Sequence, residues 1–208
     1  IKFLEKKLVD ETRKKVNILQ EPVSIWESIK NSSGENMVEC FYANQEKYAF
    51  SFQMMAYISR LSLLKEAIKN GYEIIISERS VYTDKNVFAK MLFDSKKIDE
   101  LDYKVYQMWF DEFLADLPNF HYIYIKTKPE VAYYRVNKRA RKGENIPIEY
   151  LQSCSEYHDN WLIKSQKSLD LMELGYEQEL KSNILILDGN SNRDNEMEYE
   201  DWFKILEN

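Results

Sequence analysis

Five groups of residues in this sequence have the types and spacing that chemistry needs. Glu78-Arg79-Ser80 follow directly on Ile74-Ile75-Ile76. An unbroken β-branched run reads as a strand buried on both faces, the parallel-sheet kind. An acid and a guanidinium at the carboxyl end of such a strand sit where open α/β sheets place their ligands, suited to proton transfer or to holding an anion. Ser80 can cap a helix that carries Asp84 and Phe88 four residues apart on one face. Glu21-Pro22 close another short strand, since proline cannot continue a central ladder. Gln53 and Arg60 are seven apart, two helical turns, so they share a face, and a glutamine offers both a donor and an acceptor. Arg135 and Arg139 are four apart on one helical face, Arg141 follows, and Gly143 allows a hinge beside them. Taken singly, each group has a plain alternative. Glu78-Arg79 can be a structural ion pair, Gln53 a satisfied core amide, and the basic run Lys138–Lys142 a solvated surface or a nucleic-acid patch.

The elements that must position these groups alternate. Strands are expected at Val16–Leu19, Glu73–Ser77, His121–Ile125 and Asn183–Leu187. A helix opens the sequence around Phe3, Leu4 and Leu8. A long one spans Gln45–Asn70, with Asn44 as cap, Gly71 as stop, and a core stripe of Met54, Tyr57/Ile58, Leu61, Leu64 and Ile68. Further helical regions cover Thr83–Leu92 and Asp99–Leu117. The second carries Tyr103, Tyr106, Trp109, Phe110 and Phe113, an aromatic stripe read as core or subunit packing. Thr127-x-x-Glu130 reads as a capping box with Pro129 in the first turn, opening a helix to about Arg139. Ile148–Lys167 and Tyr199–Leu206 complete the set. Strands alternating with helices imply a parallel sheet with right-handed crossovers, all strand ends on one edge.

Composition narrows the class. The 208 residues are 44% hydrophobic and 14% aromatic, so the chain is globular and long enough for a core. A net charge of −6 argues against a nucleic-acid surface. Cys40 and Cys154 are too few for a disulfide framework, and with His121 and His158 they have no metal-ligand spacing, which points to reduced thiols and a cytoplasmic protein. No apolar run approaches membrane-spanning length.

Five motifs in order now carry a likeness. Glu21-Pro22-Val23 with Trp26, Phe52-Gln53 with Ser59-Arg60, Glu78-Arg79-Ser80-Val81-Tyr82 with Asp84, and the arginine-rich run before Ile146-Pro147-Ile148-Glu149-Tyr150-Leu151 resemble the deoxynucleoside kinase family, nearest the deoxycytidine and deoxyguanosine kinase group. The resemblance implies a P-loop kinase-like α/β fold: a parallel sheet of five strands, four of them visible here, flanked by helices, as a single domain over residues 1–208 with a lid over residues 135–145. It implies transfer of the γ-phosphoryl group of ATP or another nucleoside triphosphate to a deoxynucleoside 5′-hydroxyl, with Mg²⁺. Glu21 would be the general base, and Arg79 would hold Glu21 and the 5′-oxygen. Glu78 would reach the metal region. Tyr42 and Glu144 would bond the 3′-hydroxyl, and Gln53 would read the base edge with Arg60 and Asp84. Trp26, Phe41 and Phe88 would sandwich the base. Arg135, Arg139 and Arg141 would form the lid over the phosphates. The Asp84–Arg60 pair implies dC, dA or dG over dT, and the family likeness implies a homodimer.

In one respect the sequence departs from that family. The glycines, at 34, 71, 143, 175 and 189, form no phosphate-cradling Gly-rich loop with its Lys. The expectation is that the loop and its strand lie upstream, leaving a gap in the sheet. Three other readings compete, one of them a nucleoside monophosphate kinase, which the Gln53/Arg60/Asp84 set opposes because it suits a base and sugar rather than a second phosphate. A family-like accessory subunit would keep the fold without catalysis, as the missing cradle favours and Glu21, Arg79 and the lid arginines oppose. A nucleic-acid module rests only on the basic run.

Overall fold

The computed structural model describes residues 8–10, 12–114, 116–140, 146–164 and 184–191. Arg141 and Glu144, most of the opening helix, the end of the helix expected to Lys167 and the one expected at Tyr199–Leu206 lie outside them. The chain divides into two compact units, separating near residue 115.

In the first unit, strand β1 (Val16–Leu19) pairs in parallel with β2 (Ile74–Ser77), Val16 opposite Ile74 and Leu19 opposite Ser77. The ladder runs one bond further, Glu78 N–H donating to the Leu19 carbonyl at 2.8 Å, so the two strands end side by side. Pro22 (φ −79°, ψ 51°) turns the chain out of β1, the Val23 N–H reaching back to the Glu21 carbonyl. That is an inverse γ-turn, for which the proline ring presets φ. Helix α1 (Val23–Ser28) follows, then α2 (Met37–Ala43), capped by a reciprocal Asn36–Glu39 box. The sequence carried that box in plain view, but the polar run before it masked the helix.

Helix α3 (Gln45–Lys69) is capped by Asn44, whose side chain accepts from Lys47 N–H. It ends in a paired closure: Gly71 N–H bonds the Ile68 carbonyl and Tyr72 N–H that of Ala67. Gly71 has φ +70°, which costs a glycine nothing. The face α3 buries differs from the expected stripe. Tyr57, Leu61 and Leu64 are buried, but Ile58 and Ile68 are exposed and Met54 only half-buried. Ala56 and Ala67 take the inward places together with Gln53, Ser59 and Arg60. The helix has turned its polar pair inward, which apolar periodicity alone does not register.

After β2 the chain runs without a break through α4 (Val81–Thr83), a π segment (Asp84–Ala89) and α5 (Lys90–Asp94). Helix α6 (Glu100–Leu114) packs Tyr103, Tyr106 and Phe110 inward, with Phe110 stacked on Tyr57 at 5.5 Å. Trp109 and Phe113, expected in the same stripe, are on the exposed side.

In the second unit, β3 (Tyr122–Lys126) pairs in parallel with β4 (Ile184–Asp188), Lys126 opposite Asp188. Helix α7 (Pro129–Arg139) starts with Pro129, but its cap is Lys128 and no side chain fills the cap. The Thr127–Glu130 box therefore does not form. The Thr127 hydroxyl instead faces the Ile125 carbonyl at 3.5 Å, because the strand runs one residue further than expected. Helix α8 (Ile148–Asp159) leads into a second π segment (Asn160–Lys164). Asp159 ties α8 to β3, accepting from Tyr124 Oη at 3.0 Å and from Lys126 Nζ at 2.6 Å. Gly189 is required by close approach: a Cβ there would lie 2.2 Å from Thr127 Oγ1 and 2.7 Å from Ile125 Cγ2. The architecture is thus α/β and P-loop kinase-like, parallel strand pairs flanked by helices.

Candidate active site

The charged residues of the first unit meet where β1 and β2 end. Glu21 stands two residues past β1, and Glu78-Arg79-Ser80 follow β2. Arg79 has φ +63°, in the left-handed region that a non-glycine residue enters only at a cost on the order of 1–3 kcal/mol. This turn reverses the chain into α4, where Ser80 caps the helix: its Oγ accepts from Thr83 N–H at 3.1 Å, and Thr83 Oγ1 accepts from Ser80 N–H. That cap fixes Asp84 and Phe88 on the π segment. Expanded turns of this kind recur at functional sites.

Four side chains form one alternating chain of charge. Asp84 Oδ2 accepts from Arg60 Nε at 3.0 Å. Arg60 Nη2 donates to Glu21 Oε1 at 2.5 Å, and Arg79 Nη1 donates to the same oxygen at 3.0 Å. The remaining Arg60 nitrogen, Nη1, bonds the Glu78 carbonyl at 3.1 Å. Arg60 and Asp84 are 5% and 2% exposed and Glu21 is 14% exposed, whereas Arg79 reaches solvent at 47%. Burial pushes the Asp84 carboxyl up to about 6, against the pull of Arg60 and Arg79, and the nearby Glu21 adds to the rise.

Aromatic residues surround this cluster. Trp26 is buried, its indole N–H donating to Ser59 Oγ at 2.9 Å, its ring edge-on to Phe52 and 5.4 Å from the Arg60 guanidinium carbon. Phe41 is buried, stacked on Phe52 with centroids 4.3 Å apart, and meets Tyr42 edge-on. Phe88 is half-buried, the Arg79 guanidinium lying 4.7 Å over its ring. Gln53, seven residues before Arg60, is 3% exposed, and its Oε1 has no hydrogen-bond partner. A buried amide oxygen left unsatisfied is costly unless something else bonds it. Glu78 keeps an exposed side chain beside Arg79. Ser59 and Phe52 belong to this neighbourhood and had no site role from sequence, and Tyr106, read there as core or subunit packing, belongs to it too. Ser59 and Phe52 adjoin Arg60 and Gln53, which is the signal that could have found them. Tyr106 is fully buried with its hydroxyl unpartnered.

The other candidates lie in the second unit. Arg135 is half-buried at the end of β4, its Nη1 donating to the Gly189 carbonyl at 2.6 Å and its Nη2 to that of Ser191 at 2.9 Å. Arg139 is exposed on the last turn of α7.

A family model described as deoxynucleoside kinase matches residues 3–207. The chain belongs to the deoxynucleoside kinase family. Such proteins are enzymes that phosphorylate nucleosides, using a nucleotide as phosphate donor. Its relatives include a probable deoxycytidine kinase of fowlpox virus, 33% identical over 155 residues, covering 73% of this chain and 63% of that protein. Deoxycytidine kinase 1 of Xenopus laevis is 31% identical over 207 residues, covering 88% and 76%. Mitochondrial thymidine kinase 2 of Homo sapiens is 32% identical over 152 residues, covering 72% and 56%. The chain thus spans less than two thirds of the fowlpox and human proteins. Among the described residues of this family member, no helix is long and apolar enough to cross a membrane.

Proposed function

We propose that this chain transfers the γ-phosphoryl group of ATP, or another nucleoside triphosphate, to the 5′-hydroxyl of a deoxynucleoside, with dC, dA or dG preferred over dT. The observation that supports this most is Glu21, held through one carboxylate oxygen by two guanidiniums where two parallel strands end. A sugar hydroxyl is a poor nucleophile, and Glu21 acts as its general base. Arg79, solvent-reaching and already on Glu21, steadies the hydroxyl oxygen. The unpartnered Oε1 of Gln53 is suited to a base edge, because the glutamine amide supplies the donor–acceptor pair that such an edge requires. The buried Arg60–Asp84 pair favours amino-bearing bases by hydrogen bonds of about 1–3 kcal/mol each when left unmade. Phe88, with Trp26 and Phe41 behind, packs the base, and Tyr42 with Glu144 takes the 3′-hydroxyl.

Arg135, Arg139 and Arg141 form the lid over the phosphates within a kinase domain of residues 1–208. Among the described residues no cluster of three or more His, Cys, Asp or Glu could hold a metal ion by itself. A single exposed carboxylate, Glu78, fits Mg²⁺, which is commonly carried by substrate phosphates and one or two carboxylates. Bound there, Mg²⁺ would neutralise phosphate charge. The partners are small molecules, with no nucleic acid or membrane involved. Two unbridged thiols, Cys40 and Cys154, suit a cytoplasmic setting. Leu101, Val105, Met108 and Trp109 expose an apolar stripe on α6 that a homodimer would cover.

A coupled ADP-release assay with each deoxynucleoside tests the reading. The expected ranking by kcat/KM puts dT last, and dT clearly on top would overturn the preference. Glu21→Gln is expected to lower kcat by about 10²–10⁴-fold while nucleoside binding, followed by calorimetry, persists. Near-normal turnover would remove Glu21 from the role of base.

A further inference from the structure

Ser59 has no part in the roles above, yet it holds one wall of the pocket. We infer that Ser59 is a positioning residue for nucleobase binding, fixing the plane of the Trp26 indole so that an aromatic row stands set beside the Gln53 amide. This deepens the reading of that pocket as the nucleoside site and rests on it.

Serine is a poorer helix former than alanine, and Ser59 lies buried in the interior of α3. Its hydroxyl is used in both directions. Oγ donates to the Ala56 carbonyl, three residues back, at 3.1 Å, and accepts from Trp26 Nε1 at 2.9 Å. The first bond turns the hydroxyl proton away from Trp26 and leaves a lone pair for the indole N–H. An indole N–H is a donor only, and burying one without an acceptor is costly, so the bond selects one ring orientation. It spans 33 positions and joins the six-residue helix α1, which has no side-chain cap of its own, to the middle of α3. The cluster of Trp26, Met55 and Ala56 adds apolar contact, which is non-directional. The Arg60 guanidinium carbon, 5.4 Å from the ring, is a further oriented contact and leaves the indole N–H to Ser59. From Trp26 an aromatic row leads into the pocket. Trp26 meets Phe52 edge-on, centroids 5.7 Å apart and planes at 67°, and Phe52 stacks on Phe41 at 4.3 Å and 14°. Such pairs have preferred geometries, so turning the first ring disturbs the next. Gln53 follows Phe52 directly in the chain, buried with Oε1 unpartnered. An amide that must meet a base edge in its own plane gains from a wall already in place, because less ordering is left to the binding step.

Ser59→Ala in the full chain removes the acceptor and leaves the indole N–H without one. The expected result is a rise in KM of at least about threefold for each deoxynucleoside accepted, with kcat within about twofold. In a Trp26→Phe background, which has no N–H to place, the same change should move KM by less than about 1.5-fold, since residues acting as a unit are not additive. A ¹⁵N spectrum of the indole groups gives a check without ligand. The Trp26 resonance, assigned among the four tryptophans by its loss in Trp26→Phe, should be single in the wild type and broadened or split in Ser59→Ala. A KM within about threefold of the wild-type value, or a loss carried by kcat, would overturn the inference even where stability falls, because the bond then only fastens α1 to α3. An unaltered indole resonance, or an equal KM rise in the Trp26→Phe background, overturns it as well. Should Ser59→Ala fail to fold, Ser59→Cys, whose thiol is a weak acceptor, should give the same KM rise, and an unmoved KM ends the idea. If the wild-type chain phosphorylates no nucleoside, the kinase reading fails by itself. The Kd for each deoxynucleoside by calorimetry then replaces KM: a rise of at least about threefold in Ser59→Ala upholds the role of Ser59, and a smaller change, or no binding by the wild type, ends it.

Discussion

Arg60 in the first unit and Arg135 in the second are each held by several hydrogen bonds, yet their partners differ in charge. Arg60 is buried between two carboxylates and one carbonyl. Arg135 is half-buried and bonds the carbonyls of Gly189, Asn190 and Ser191, at the end of β4. An ion buried among ions is coupled to their protonation, so disturbing one member is felt by all. An arginine laid on neutral carbonyls shapes a loop, and its loss is felt locally. The same side chain therefore serves as a linkage in one place and as a clamp in the other.

Breaking the linkage should give the largest effect. Arg60→Met leaves Asp84 and Glu21 without their shared cation and should destabilise the protein by about 3–5 kcal/mol, read from urea denaturation. Adding Asp84→Asn should recover much of that loss, because the stranded charge goes with it. A somewhat smaller effect comes from pH. Asp84 titrates at about 6 in the folded protein, raised first by burial. An unfolded Asp titrates near about 3.9. Between those values the folded chain holds a proton that the unfolded chain has lost. Its contribution to stability is therefore full below about pH 4 and falls as pH rises through 6, by at most about 3 kcal/mol. Asp84→Asn should lack that slope when denaturation is compared at several pH values.

The clamp should give less. Arg135→Ala removes three bonds to carbonyls that solvent can partly replace. A loss of about 1–2 kcal/mol is expected, with faster amide exchange at Lys128, whose N–H bonds the Asn190 side chain at 2.8 Å. Exchange that quickens equally throughout β1 and β2 would erase the contrast between the two arginines. Smallest of all, Tyr106→Phe deletes a buried hydroxyl that has no partner, so stability should change by less than about 1 kcal/mol, or rise. A large loss would mean that the hydroxyl bonds something essential to the Asp84–Arg60 pair.

Local chemistry was readable from residue order. The run Ile74–Ile76 marked β2, Asn44 and Gly71 marked the ends of α3, Ser80 marked the start of α4, and Pro129 the first turn of α7. In each case a few neighbouring residues settle the backbone, through strand-favouring branching, a capping oxygen or a ring that presets φ. The charged residues at the strand ends were readable too, because a polar stop after a buried run is a local pattern.

What the order of residues left open depends on partners distant in the chain. Apolar spacing assigned Ile58 and Ile68 to the core, whereas α3 turned Gln53 and Arg60 inward and left those isoleucines exposed. Thr127 and Glu130 had the capping pattern, yet β3 pairs with β4 one residue further and the cap falls on Lys128 instead of Thr127. The meeting of Arg60 with Glu21, 39 positions away, and with Asp84, 24 away, is a matter of how a long helix lies against two strand ends. Sequence by itself determined which groups were available and on which short elements they stood, since those are set by interactions within a turn or two. Tertiary packing alone decided which carboxylate each guanidinium would hold, because burial and register bring together groups that no local interaction can pair.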